Sequence, residues 1–139
     1  MNVLVIGDSC EDIFIYGDIE RISPEAPVPV FKPTHTETNG GMAKNVANNV
    51  EALDMHIHTV TNKNSITKIR YVENRSGQMV LRVDEHDYCE RVKENLLEGL
   101  KENKFKNPSF GFTSQREDHY DSIIISDYCK GFLEEDDIQ

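Results

Sequence analysis

The sequence predicts an α/β fold: a reduced core of parallel strands with flanking helices, joined to a small separate β-sheet. Three observations lead there. Residues 3–6 and 123–125 are continuous apolar runs, as in parallel strands covered on both faces. Residues 21–31 and 66–85 are instead extended, and either proline-interrupted or alternating, as in a sheet standing apart from the core. Between these two kinds of strand, Ala43, Val46, Ala47, Val50 and Leu53 recur at the spacing of one buried helical stripe.

The chain of 139 residues has room for one domain with a modest core. Its net charge of −10 disfavours nucleic acid or an anionic membrane as partner, since both select concentrated Lys and Arg. No apolar run reaches the ~20 residues of a membrane span. The opening residues read as a first strand, with no signal peptide. Cys10, Cys89 and Cys129 are odd in number and form no Cys-x-x-Cys, which fits a reducing, cytoplasmic setting.

Taken in order, the first core strand at 3–6 delivers Asp8 to its carboxyl end, where open α/β sheets bind ligands. Asp8 and Asp12 are therefore placed for ligand hydroxyls, although Asp8 also suits a turn cap. Residues 13–16 read as a second strand turning at Gly17-Asp18. Pro24, Pro27, Pro29 and Pro33 then confine the following stretch to an edge or an excursion from the sheet. Gly40 and Gly41 lack a Cβ, so their backbone can approach a ligand closely. They open a helix over about 43–54, whose first amides suit an anionic or hydroxyl-rich ligand and whose Asn45 and Asn48 share a face.

A further core strand is expected near 57–61. His56 and His58 share its face, but no third metal ligand follows at a useful spacing. Residues 66–73 and 78–85 predict a hairpin around Asn74–Gly77. Matching its apolar faces requires an odd loop, and either register gathers Lys68, Arg70 and Arg82 on one face. Like charges facing each other are unfavourable unless an anion, or Asp84 and Glu85, offsets them; an ordinary solvated face is the alternative. Asp87 and Glu90 resemble a capping pair for a helix over 88–102, with Cys89 as a core residue. Residues 103–120 read as a long loop pinned by Phe105, Phe110 and Phe112. The last core strand is expected at 122–126.

Several of these stretches together resemble the ribokinase-like (PfkB) sugar kinases. They are Gly7-Asp8, Asp12, Tyr16-Gly17-Asp18, Arg-Ile-Ser-Pro-Glu-Ala-Pro-Val-Pro-Val at 21–30, and Gly40-Gly41 with Asn45-Val46-Ala47. The likeness is greatest to the heptose-7-phosphate kinase domains of bifunctional heptose biosynthesis proteins. It implies that residues 13–34 and 66–85 form a β-sheet lid over a phosphorylated sugar. The Ile-Thr-Lys-x-Arg strand with Lys68 and Arg70, and the strand carrying Arg82, then lie near the phosphosugar. Ser126-Asp127-Tyr128-Cys129-Lys130-Gly131 resembles the family turn where sugar, transferred phosphoryl group and nucleotide meet. There Lys130 can hold a phosphate as a point charge.

The resemblance implies a single truncated domain over 1–139, with a section of the core absent after residue 60. Phosphoryl transfer needs a phosphate cradle, usually Mg²⁺, and a group that positions the attacking hydroxyl. The family supplies these through a Gly-x-Gly-Asp turn in its C-terminal half, and no such run occurs here. ATP and Mg²⁺ belong to the full-length family, and no cofactor or catalytic base is assigned within this chain. A carbohydrate kinase homologue that needs a complementing C-terminal half is one expectation. A noncatalytic sugar-binding or assembly module is the other. A homodimer formed through the lid is compatible with both.

Overall fold

The computed structural model describes residues 1–92 and 120–138. In chain order the elements are β1 (Asn2–Gly7), β2 (Ser9–Ile22), β3 (Pro29–Met42), α1 (Ala43–Glu51), β4 (His56–Val60), β5 (Ile66–Glu73), β6 (Met79–Glu85), β7 (Ser122–Ser126) and a last helical turn, α2 (Glu135–Ile138). They build two sheets. A three-stranded sheet has the order β4-β1-β7 with both pairings parallel; a four-stranded sheet has the order β3-β2-β5-β6.

β1 is the apolar centre of the first sheet. Val3 and Val5 face α1 and pack with Ala43 and Ala47, while Leu4 and Ile6 fill the opposite face. Burial on both sides explains why β1 reads as an unbroken apolar run rather than an alternating one. β7 differs from that expectation. Ile124 packs toward α1, but Ile123 and Ile125 are about half exposed, so among the described residues only one face of this strand is covered. Leu53 also leaves the predicted stripe, because α1 ends at Glu51 and the residue lies exposed beyond it.

The second sheet is larger than the sequence suggested. β2 does not turn at Gly17-Asp18; it runs on to Ile22 through a register shift between Tyr16 and Gly17. Likewise Gly40 and Gly41 are not a turn. They pair with Glu11 and Cys10 at the end of β3, and the chain enters α1 in a single step at Met42, whose φ is 56°. The hairpin of β5 and β6 has a five-residue loop and sets Lys68 opposite Asp84 and Arg70 opposite Arg82. β2 and β5, adjacent and parallel, join this hairpin to the long β2–β3 pair.

Residues 87–92 are not helical, so Asp87 caps no helix there; the remainder of the predicted 88–102 helix lies outside the described residues. So do 103–119, including Phe105, Phe110 and Phe112. Cys89 and Val92 are buried with Ile6, Met42, Ile66, Phe132 and Leu133 in a cluster that knits the two sheets together.

Candidate functional site

Strand alternation decides which side chains meet. Along β2, Cys10, Asp12 and Phe14 point to one face, and their cross-strand partners Gly41, Asn39, Ile66, Lys68 and Arg70 point the same way. β6 adds Arg82 and Asp84. This face and the start of α1 enclose a cleft of about 580 Å³. Its walls carry Asp12, Phe14, Asn39, Gly40, Gly41, Asn45, Asn48, Lys68, Arg70, Arg82 and Tyr128. A smaller recess of about 390 Å³ continues past Asn39 and Asn48 toward Thr38, Lys44 and Ser65.

The cleft floor is strongly charged. Arg70 forms an ion pair with Asp12, and its guanidinium lies 5.1 Å from the centre of the Phe14 ring. Arg82 donates from Nε and Nη2 to the two oxygens of Asp84, each at 2.7 Å. Those bonds are the main reason the Asp84 carboxyl titrates below its ordinary range. Lys68 is almost fully buried, with Nζ 3.7 Å from Asp84 and 3.6 Å from Asp87. The repulsion between opposed Arg70 and Arg82 is thus offset by Asp12 and Asp84. Glu85, facing Thr67 on the other side of the sheet, plays no part in it.

Gly41 belongs to this floor for a steric reason. A Cβ there would lie 2.5 Å from Cys10 Sγ and 3.1 Å from Asp12 Oδ2. Cys10 itself is buried, and desolvation pushes its thiol pKa up despite the nearby cations.

The cleft therefore brings together Asp12, Gly40, Gly41, Asn45, Lys68, Arg70 and Arg82. Asp8, Asp127 and Lys130 stand apart from its walls. Asp8 is fully buried, and its two carboxylate oxygens accept from the backbone N–H groups of Tyr128 and Lys130, both at 2.8 Å. Both oxygens thus cap the turn after β7. Asp127 accepts from Cys129 N–H at 2.8 Å, and Lys130 Nζ donates to Asp87 at 2.6 Å, which lowers the Asp87 pKa. His58 is engaged with the Tyr120 hydroxyl at 2.6 Å, and no metal-capable cluster of three residues occurs among the described ones.

Sequence reasoning missed Phe14, Asn39 and Tyr128 as parts of this site. For Phe14 the signal was available: it shares the parity of Asp12 once β2 is taken as starting at Ser9. Asn39 follows from pairing with Asp12. Asn62, between β4 and β5, clamps the sheet junction, accepting from Ser9 N–H at 2.7 Å and donating to Ser9 O at 3.1 Å. Only the fold shows that.

A parallel three-stranded core, a four-stranded sheet beside it and a charged cleft on the sheet face make this a mixed α/β chain. Its sequence is similar to that of bifunctional HldE proteins. It is 35% identical to the one from Vibrio atlanticus over 96% of this chain, and 31% identical to the one from Syntrophotalea carbinolica over all of it. These matches take in 31% and 32% of the relatives, so the chain spans about a third of their length. The second alignment runs over 156 positions for a chain of 139, so the relative carries residues that this chain lacks. A candidate phosphofructokinase from Staphylococcus aureus shares the fold, with a TM-score of 0.55 at 11% identity, covering 99% of this chain and 47% of that one. No protein-family model matches. Among the described residues, no helix is long and apolar enough to cross a membrane.

Proposed function

We propose that these residues form the sugar-phosphate-binding part of a heptose-7-phosphate kinase-like carbohydrate kinase. One observation carries the reading: Lys68, Arg70 and Arg82 converge on a single sheet face, over a cleft that also presents Asp12, Asn39, Asn45 and Asn48. A phosphate suits the three cations, because charge-assisted hydrogen bonds to it are strong and arginine can bind it bidentately. The carboxylate and the amides suit sugar hydroxyls, and half-buried Gly40 lines the cleft without a side chain to bar the sugar. Similarity to HldE proteins supports heptose 7-phosphate as the sugar. The nucleotide side has no counterpart here, since no Gly-x-Gly-Asp run is present in the 139 residues. A second chain carrying that half, or a second copy joined through the outer edges of β3 and β6, is the partner that fits.

The competing reading is a noncatalytic sugar-binding or assembly module. It draws on the same charges, which are already neutralised by Asp12, Asp84 and Asp87 without a ligand. Calorimetry with heptose 7-phosphate and with free heptose tests the ligand assignment common to both. Arg82→Ala is expected to weaken phosphosugar binding about tenfold or more while leaving the weaker free-sugar binding nearly unchanged. Equal losses for both ligands, or no binding of either, would remove the proposal.

A further inference from the structure

We infer that Asp87 couples occupancy of the cleft to the turn formed by residues 127–131, so that an anion bound by Lys68 and Arg82 is sensed at the end of the core sheet. The inference rests on the anionic-ligand reading above and adds a regulatory link to the same site.

Asp87 lies just beyond β6, and its two carboxylate oxygens face lysines from different parts of the fold. Oδ2 accepts from Lys130 Nζ at 2.6 Å, and Oδ1 lies 3.6 Å from Lys68 Nζ. Lys68 is also 3.7 Å from Asp84, which holds Arg82 through two hydrogen bonds. Charges of alternating sign thus run from Lys130 through Asp87, Lys68 and Asp84 to Arg82, from the core-sheet turn to the cleft floor.

The middle of this series is its loosest part. Both contacts of Lys68 exceed hydrogen-bond length, whereas phosphate oxygens bind an ammonium at about 2.8 Å. A phosphate at Lys68 would take over the neutralisation of this buried cation and repel Asp84 and Asp87. Among the described residues, Asp87 then keeps Lys130 as its cation. The backbone of the turn is pinned, because Tyr128 and Lys130 donate their N–H groups to buried Asp8. What remains adjustable is the Lys130 side chain and the exposed side chains of Asp127, Tyr128 and Cys129. Because coupling free energies are reciprocal, whatever moves Lys130 away from Asp87 changes anion affinity in the cleft by the same factor.

Cys129 is a built-in reporter: it is exposed at this turn, while Cys10 and Cys89 are buried. The rate of its reaction with a disulfide thiol reagent is measured across a titration with inorganic phosphate, in parallel with calorimetry, with Cys129→Ser identifying the signal. In the unaltered chain the rate is expected to change about twofold or more and to follow the calorimetric saturation curve. Asp87→Asn should bind phosphate at least as tightly, having lost a competing negative charge, yet show a flat rate. Asp87→Glu should restore the response. A flat rate in the unaltered chain despite saturable binding overturns the coupling and leaves the ligand reading intact. The same response in Asp87→Asn as in the unaltered chain assigns the signal to Tyr128, which lines the cleft directly, and overturns the role of Asp87. No phosphate binding at all overturns both readings.

Discussion

Between β1 and β2 the chain has one residue, Asp8, in which to leave the three-stranded sheet and enter the four-stranded one. Its carbonyl accepts from the first amide of α1, Ala43, at 3.0 Å, and its carboxylate takes two amides from the turn after β7. One buried side chain thus fixes the junction of the sheets, the start of α1 and the turn that carries Lys130. Truncation to alanine removes two charge-assisted hydrogen bonds and leaves two amides without their acceptor. We expect Asp8→Ala to destabilise the chain by about 3–5 kcal/mol, and Asp8→Asn by less, since its amide oxygen can still accept. Urea denaturation followed by circular dichroism measures both; a loss under 1 kcal/mol for alanine would contradict the hub role. The sequence makes Asp8 conspicuous, placing it at the carboxyl end of an apolar strand. It does not reveal the partners, which lie 120 and 122 positions further on.

At the scale of the element, the same kind of local signal succeeds at one strand pair and fails at the strand beside it. The facing of Lys68, Arg70 and Arg82 was legible because strand alternation and an odd hairpin loop leave no other arrangement. The length of β2 was not. Gly17 looks like a turn residue, but its missing side chain serves packing: a Cβ would lie 2.5 Å from both Lys32 O and the Phe31 ring. Gly41 is likewise spared a Cβ by Cys10, not by a turn. A glycine read from sequence has both meanings, and only the partner strand selects one. The β5–β6 hairpin also yields a pH prediction. Arg82 and Lys130 lower the pKa of Asp84 and Asp87 respectively below the ordinary 3.8. Groups depressed in this way stabilise the folded state above the unfolded pKa, and that contribution is lost as pH falls through the folded value. Asp84→Asn and Asp87→Asn should therefore be less stable than the unaltered chain at neutral pH. The difference should narrow between about pH 5 and pH 3. Urea midpoints that differ by the same amount at both ends would show that these carboxylates act through packing and not through charge.

At the scale of the whole molecule, the two sheets divide the work unevenly. On the proposed reading, the four-stranded sheet supplies nearly every group that would hold an acceptor sugar, while the three-stranded core contributes the turn at residues 127–131. Phosphoryl transfer depends on positioning and on charge stabilisation around the transferred group, so an acceptor site alone leaves most of the rate enhancement unsupplied. Asp127 is the nearest group to a base that the turn offers, and its carboxylate is occupied by Cys129 N–H. The 139 residues by themselves are accordingly expected to bind a phosphosugar without consuming ATP. Purified chain with ATP, Mg²⁺ and a panel of heptose and hexose phosphates provides the measurement, read as ADP released. The expected result is no release above the rate without sugar. Adding a separately produced chain with a Gly-x-Gly-Asp half should then restore release if the protein works as a split kinase, and should leave it absent if it is a binding module. ADP formation by these residues alone, dependent on both the sugar and Asp127, would show that this turn can activate a hydroxyl without a Gly-x-Gly-Asp cradle.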